Sequence, residues 1–452
     1  MLRFSGRFHA NFRLKSGWIE PLRLGGHAPF SPLVRTNQNQ DLYAMKRFLI
    51  LAGGADQADL MDVLREKFKN CYIILADMAP KVIASSHADK HIQISTMDFD
   101  AVRQTAIEEH VDAIVTACGD QPLITMATIS EELGLPCYLS KEDALNMTNK
   151  LHMKRIMIDN GIPTAKFRNI HDVSEDISDL CYPLMIKPAD CNGSLGVRKA
   201  NNREQFEEFF AQAKKYSFSH SAIVEEFKEG KEVGIDCYAL DGKATILMMG
   251  EVRKKKIGDS VLLIYQTYIP ADISEKAKDN LQKIANDITR VFHLENTPIL
   301  IQTLVNGDDV NVIEFAPRIG GASKHRTITL KTGFDILRAN VDAMFGERPE
   351  VKPVRNDFMY SRNHVYAYPC TFSHVENEQA LIDEGIIEEY IPYKMKGAPV
   401  GEYLASRDRV GSFLVKAPDL ETLKQKISLA VARLRVYDMD GNDVMKREIW
   451  EN

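Results

Sequence analysis

From residue 45 onward, short apolar runs alternate with segments of helical period, and this alternation constrains the fold more than any other feature. Residues 48–52 read FLILA, a buried strand closed by Gly53-Gly54. Leu60, Val63, Leu64 and Phe68 then recur at helical spacing, and residues 71–76 form a second apolar run ending at Asp77. A strand near 91–94, a helix around 102–107, a strand over 113–117 and a helix over 123–133 continue the pattern. Strands joined by helices pair in parallel, because each crossover helix covers a face of the sheet. Ligands of such sheets lie beyond the carboxyl ends of the strands, where Gly53-Gly54 and Gly119-Asp120 fall. Neither G-x-G-x-x-G nor G-x-x-x-x-G-K-[ST] occurs, which disfavours a dinucleotide or Walker-type site.

A different signal occupies residues 182–197, YPLMIKPADCNGSLGV. The apolar run 184–186 reads as a buried strand that delivers Lys187 and then gives way to a small-residue loop containing Gly193, Ser194 and Gly196. A buried lysine calls for an anionic partner. A loop rich in glycine can wrap its N–H groups around phosphate oxygens. A strand, a snorkelling lysine and an ordinary turn would give the same letters, so the downstream residues must decide.

Composition narrows the classes. The formal net charge of −6 gives no basic field for nucleic acid, and no apolar run reaches the roughly 18 residues of a membrane span. Seven scattered cysteines without a C-x-x-C pair argue for reduced thiols in a cytosol and against a disulfide framework or zinc site. Residues 1–44 carry six arginine or lysine residues named by Arg3, Arg7, Arg13, Lys15, Arg23 and Arg35 against Glu20 and Asp41, with no sustained period. An organelle transit peptide, an upstream start codon or an added extension would each account for this leader, which is excluded from fold reasoning and expected to be dispensable.

Between the sheet and the glycine loop, Leu145, Thr148, Leu151, Ile156 and Ile158 predict one helical segment that carries Lys150 and stops at Gly161. Beyond the loop, an amphipathic helix over 203–214 precedes a strand over 222–224, which runs into Glu225, Glu226, Phe227 and Lys228, with Gly230 and Glu232 following. Such a linker offers backbone donors and acceptors to a purine ring and a carboxylate to a ribose diol; a solvated acidic turn is the plain alternative. The third constellation is ILIQTLVNGDDVNVIEFAPRIGG. Asn306-Gly307-Asp308 between apolar runs is a strong hairpin signal. Counting back from that turn brings Gln302 and Glu314 face to face, each a polar group on an apolar strand. Paired oxygens suit magnesium, and Arg318 beyond them suits charge developing on a reacting group. A structural Glu314–Arg318 ion pair is the alternative, since a lone carboxylate on a core strand is costly.

Taken in order, Lys150, IKPADCNGSLGV, VEEFKEGKE, and Gln302 followed by Glu314-Phe-Ala-Pro-Arg318-Ile-Gly-Gly, the chain resembles the ATP-grasp superfamily. Within it the nearest likeness is to carboxylate–amine ligases such as L-amino acid ligases, alongside biotin carboxylase and carbamoyl phosphate synthase. The resemblance implies an α/β and α+β chain: a Rossmann-like pre-ATP-grasp domain over 45–140, a two-lobed ATP-grasp domain over 141–350 with a lid over about 152–230, and a small α+β accessory domain over 351–452. It implies ATP and Mg2+. By motif, Lys150 and Lys187 contact phosphates, and Gly193, Ser194 and Gly196 form the lid loop. Glu225, Glu226, Phe227 and Lys228 frame the adenine, and Glu232 takes the ribose. Glu314 and Gln302 hold metal, while Arg318, with Lys187, serves catalysis. Two departures stand out: the family usually has a carboxylate at Gln302 and often an asparagine at Ala316, which puts a second metal in doubt.

The implied reaction is ADP-forming ligation of a small-molecule carboxylate and amine through an acylphosphate, with no protein nucleophile. The alternatives are a carboxyphosphate- or carbamoyl phosphate-forming enzyme, and a nucleotide-binding protein with weakened chemistry. Lys324, His325 and the segment 264–271 are candidates for the substrate pocket by position alone. In the accessory domain Asp419 is the expected N-cap of a helix burying Leu420, Leu423, Ile427, Val431 and Leu434. That domain is expected to close the substrate side of the cleft and leaves room for a homodimer contact.

Overall fold

The computed structural model describes residues 45–191, 195–217, 219–257, 261–354, 356–402 and 406–451. The leader, Gly193, Ser194 and Tyr403 lie outside the described residues. The first layer is the expected parallel sheet. Its strands β1 (Lys46–Leu51), β2 (Cys71–Ala76), β3 (Lys90–Ile92) and β4 (Ala113–Val115) stand in the order β3-β2-β1-β4. Helix α1 (Ala55–Lys67) joins β1 to β2, α2 (Phe99–Glu108) joins β3 to β4, and α3 (Asp120–Leu133) follows β4. Residues 48–51 are fully buried, as a strand covered on both faces must be. Gly54 and Gly119 occupy the N-cap positions of α1 and α3, which puts both helix starts at the carboxyl edge of the sheet.

The segment around Lys150 departs from expectation. It forms two helices, α4 (Lys141–Thr148) and α5 (Lys150–Asp159). Asn149 between them is extended, and its side chain accepts from the N–H groups of Leu151 and His152, starting a new helix. That break turns the face, so Leu145 and Ile158 are exposed while Met147, Met153 and Met157 are buried.

The smaller lobe follows: β5 (Phe167–Ile170), β6 (Leu184–Pro188), β7 (Arg198–Ala200), α6 (Arg203–Tyr216) and β8 (Ala222–Glu226), with sheet order β5-β8-β6-β7. Phe206, Phe209 and Phe210 of α6 pack with Leu184, Ile186 and Val224 into this lobe's own core. The larger lobe is an antiparallel sheet built on β9 (Lys231–Leu240), β10 (Lys243–Ile257), β11 (Val261–Ile269), β12 (Thr297–Asn306) and β13 (Asp309–Ala316). Helices α7 (Glu275–Val291), α8 (Lys324–Thr332) and α9 (Ile336–Met344) accompany it.

The C-terminal residues extend that sheet. Of β14 (Met359–Tyr366), β15 (Cys370–Glu376), α10 (Glu378–Asp383), β16 (Glu389–Pro392), β17 (Pro399–Val400), β18 (Arg409–Ala417), α11 (Leu420–Arg433) and β19 (Arg435–Asp438), strands β14, β18 and β16 join it. The order is β13-β12-β9-β10-β11-β14-β18-β16. Asp419 caps α11 as expected, accepting from Thr422 N–H, and Leu423, Ile427, Val431 and Leu434 are buried. Leu420, in the first turn, is exposed. Among the described residues no helix is long and apolar enough to cross a membrane.

Candidate active site

The β12–β13 hairpin turns at Gly307, whose φ of 60° fits the tight turn, and its register makes Gln302 and Glu314 direct partners. The register shifts immediately beyond that pair, between Gln302 and Thr303, an irregularity of the kind that re-aims side chains beside sites. The Glu314 carboxylate stays 38% exposed, with its Oε2 3.6 Å from Lys150 Nζ. Lys150 in turn donates to the carbonyl oxygen of Cys191 at 3.1 Å, tying the hairpin to the start of the glycine-rich loop. Burial opposes the lysine's charge, but the Glu314 and Asp120 carboxylates outweigh it and raise its pKa.

Arg318 has a different partner from the one considered from sequence. Its Nε donates to Asp120 Oδ1 at 2.6 Å, and its Nη1 to its neighbour's carbonyl, that of Ile319, at 3.0 Å. Asp120 opens α3, so a residue of the parallel sheet's edge orients the guanidinium. Burial pushes the Asp120 carboxyl up, but Arg318 prevails and holds it below the usual carboxylate range. Tyr138 OH donates to the Pro317 carbonyl at 3.3 Å, fixing the same loop. Asp120, Lys150, Gln302, Glu314, Ala316 and Arg318 line one cleft, together with Met147, Thr148, Met153, Leu300 and Phe315.

Behind this cleft lies a charge cluster that periodicity concealed. Glu225 is 5% exposed at its side chain, and its two oxygens face two lysines: Lys187 Nζ at 2.7 Å and Lys154 Nζ at 3.1 Å. Burial opposes ionisation of Glu225, yet Lys187 and Lys154 hold its carboxyl at about 2. Lys154 is 1% exposed, donates to Thr164 Oγ1 at 2.8 Å, and has its pKa lowered by burial. It follows Lys150 by one helical turn, and that spacing was the available signal for it.

The remaining positions are spread along the linker. Glu226 accepts from Lys228 Nζ at 3.2 Å and from Cys181 N–H at 3.3 Å. Phe227 spends its N–H on the Pro183 carbonyl and carries Lys199 Nζ 3.7 Å above its ring. Glu232 pairs with Lys254 across β9 and β10. None of these four lines the cleft around Arg318. Gly196 has φ of 72°, and a Cβ there would lie 2.8 Å from the Tyr216 ring and 3.0 Å from Pro188. Lys324 pairs with Asp236 at 3.0 Å, and His325 Nε2 lies 2.7 Å from Asp59 Oδ2. Residues 264–269 lie in β11 and line neither of the two principal clefts.

The donor set suits magnesium: a partly exposed carboxylate beside an amide oxygen, both hard ligands, with Glu314 held among the described residues by no ion pair shorter than that to Lys150. Lys150 beside it suits a phosphate oxygen.

A parallel sheet, a small four-stranded lobe, a larger antiparallel sheet, and a lysine–carboxylate cleft where α3–α5 meet the β12–β13 hairpin make up an ATP-grasp architecture. Residues 180–325 match the ATP-grasp domain, and the chain carries that domain. The L-amino acid ligase from Bacillus licheniformis superposes with a TM-score of 0.70 at 18% identity, over 87% of this chain and 99% of that one. The biotin carboxylase domain of Hydrogenobacter thermophilus 2-oxoglutarate carboxylase, solved with MgADP and bicarbonate, gives 0.70 at 14% identity, over 90% and 93%. In sequence, the carbamoyl phosphate synthase large chain of Agathobacter rectalis is 24% identical over 284 residues, 61% of this chain and 26% of that protein. The D-alanine–D-alanine ligase of Bacillus cytotoxicus is 29% identical over 163 residues, 32% and 42% respectively. The matched region thus spans under half the length of these two sequence relatives.

Proposed function

We propose that the chain is an ATP-dependent, ADP-forming ligase that joins a small-molecule carboxylate to an amine through an acylphosphate. The observation that carries this reading is the convergence of Lys150, Glu314, Gln302 and an Asp120-oriented Arg318 in one cleft. Bound ATP with Mg2+ would supply the phosphoryl group and neutralise its oxygens. The chain's own residues do the rest by position and charge. Glu314 and Gln302 hold the metal, and Lys150 and Lys187 face the phosphates beneath the loop containing Gly193, Ser194 and Gly196. Glu225, Glu226, Phe227 and Lys228 bound the adenine side, and Glu232 the ribose side. Arg318 stabilises negative charge on the acyl centre. The domain units 45–140, 141–350 and 351–452 follow from the same reading, as does a homodimer contact on the last of them. Seven free cysteines accord with a reducing, cytoplasmic setting.

The match to carbamoyl phosphate synthases favours a carboxyphosphate-type reaction as the second reading. Both are tested by one screen for phosphate release from ATP and magnesium with pairs of amino acids and small acids, bicarbonate included. Release that requires both an acid and an amine is the expected result. Release with bicarbonate alone selects the second reading, and no release with any pair removes both.

A further inference from the structure

In the ligase reading Lys187 faces a phosphate, yet its ammonium is already engaged. Its Nζ donates to Glu225 Oε2 at 2.7 Å. Turning Lys187 alone toward a ligand would strand a buried carboxylate, which is strongly destabilising. A second cation stands by for that carboxylate. Lys154 Nζ lies 3.1 Å from Glu225 Oε1, an ion pair in which Oε1 accepts no hydrogen bond among the described residues. Two ammonium groups thus share one carboxylate in a desolvated setting, with one positive charge in surplus. Lys150 acts on Glu225 from farther off, and Phe167, paired with Glu225 from β5, brings no charge.

The two lysines are not equivalent. Lys154 is enclosed: its Nζ donates to Thr164 Oγ1 at 2.8 Å and lies 5.6 Å from the centre of the Phe167 ring. Thr164 Oγ1 donates in turn to the carbonyl of Val312 at 2.8 Å, two positions before Glu314 on β13. Lys154 is therefore fixed between α5, β5 and the hairpin. Lys187 keeps 12% of its side chain exposed and stands one residue from the end of β6, where the chain leads into the glycine-rich loop. Burial lowers the Lys154 pKa, Glu225 raises it, and Lys187 lowers it again. Departure of Lys187 would remove a neighbour that opposes the charge on Lys154.

We propose that Lys154 is a positioning residue of the nucleotide site, the reserve counter-ion of Glu225 that frees Lys187 to leave the carboxylate for a phosphate oxygen. Before binding, Glu225 holds both lysines. With the phosphate in place, Lys187 neutralises the ligand while Lys154 alone keeps Glu225 ionised. No buried charge is unpaired at either stage, and the surplus cation meets the anion it lacked. This rests on the reading in which Lys187 faces ATP, and it adds a residue that acts through Glu225.

Replacing Lys154 by methionine disturbs the second stage. The free protein keeps Glu225 on Lys187, but binding then leaves Glu225 buried without a counter-ion. A carboxyl so placed takes a proton, because burial disfavours its charged form. ATP binding by the variant is therefore coupled to proton uptake and strengthens as pH falls, since a protonated Glu225 releases Lys187 without stranding a charge.

The test is calorimetric titration of the full chain, Lys154→Met and Lys154→Gln with ATP and magnesium, from about pH 8 to about pH 6, in two buffers of different ionisation heat. Both variants are expected to bind ATP at least about tenfold more weakly at the upper pH. The deficit should narrow toward the lower pH, with proton uptake in excess of that of the unaltered chain. Lys154→Gln carries the same reading if Lys154→Met does not fold. Affinity equal to that of the unaltered chain, or a deficit constant with pH and without extra proton uptake, would overturn the proposal and leave the nucleotide reading intact. Absence of ATP binding by the unaltered chain would remove the nucleotide reading and the proposal together.

Discussion

Arg318 is positioned before any substrate arrives, because its Nε–H is committed to Asp120 at 2.6 Å. Arg318→Ala is expected to bind ATP nearly normally and to turn over at least about a hundredfold more slowly, the usual effect of removing one preorganised donor. Asp120→Asn keeps an acceptor but loses the charge that aims the guanidinium. It should lower kcat by about tenfold or more with little change in KM for ATP. Equal loss of ATP affinity in both variants would mean the pair is a domain strut. Glu225 is the other decisive residue. Glu225→Gln strands Lys154 and Lys187 in a buried setting and should cost about 3–5 kcal/mol in denaturant unfolding. Lys154→Met leaves Glu225 its bond to Lys187 and should cost clearly less. The Glu225 pKa is depressed from 4.5 to about 2, so its contribution is complete above pH 4.5 and is lost as pH falls toward 2.

At the scale of elements, the β6–β7 connection and the β12–β13 hairpin carry the groups proposed to face the nucleotide. Gly196 shows how tightly the first is set. An alanine there must hold a positive φ and press its Cβ against Tyr216 and Pro188. Gly196→Ala should destabilise the small lobe by about 1–3 kcal/mol and weaken ATP binding, read by thermal unfolding with and without nucleotide. Unchanged stability and affinity would show that the loop relaxes around the methyl group. The hairpin was legible from sequence because its register is set locally: Asn306-Gly307-Asp308 fixes the turn, and counting outward pairs Gln302 with Glu314. The single helix expected through Lys150 was not realised, because Asn149 bonds the N–H groups of Leu151 and His152 in place of continuing the first helix.

Across the whole molecule, a chain of charges joins the parallel sheet to the C-terminal strands. His325 and Arg326 of α8 both hold Asp59 of α1, and Arg326 continues to Glu389 of β16, which also receives Arg362 of β14. The His325 pKa rises from 6.5 to about 9, so its contribution is complete below pH 6.5 and disappears as pH climbs through 9. The unaltered chain should therefore lose about 2–3 kcal/mol between pH 6.5 and 9.5 that His325→Asn does not lose, measured by urea unfolding at each pH. Parallel pH profiles for the two proteins would show that Asp56 and Asp59 keep their partners without it.

The sequence by itself determined the elements whose signals are local. Apolar runs separated by helical periods required the parallel sheet, and the ordered motifs from Lys150 to Arg318 pointed to the ATP-grasp fold. Tertiary structure alone decided the partners. Arg318 and Asp120 meet across 198 positions, and Lys187 meets Glu225 across 38. Lys154 reads as an exception on a helix face until β8 brings Glu225 against it. The continuation of the large sheet into β14, β18 and β16 was hidden for the same reason. Hydrophobic period and turn chemistry act over a few residues, whereas the choice of counter-ion for a buried charge depends on which distant surfaces are pressed together and dried.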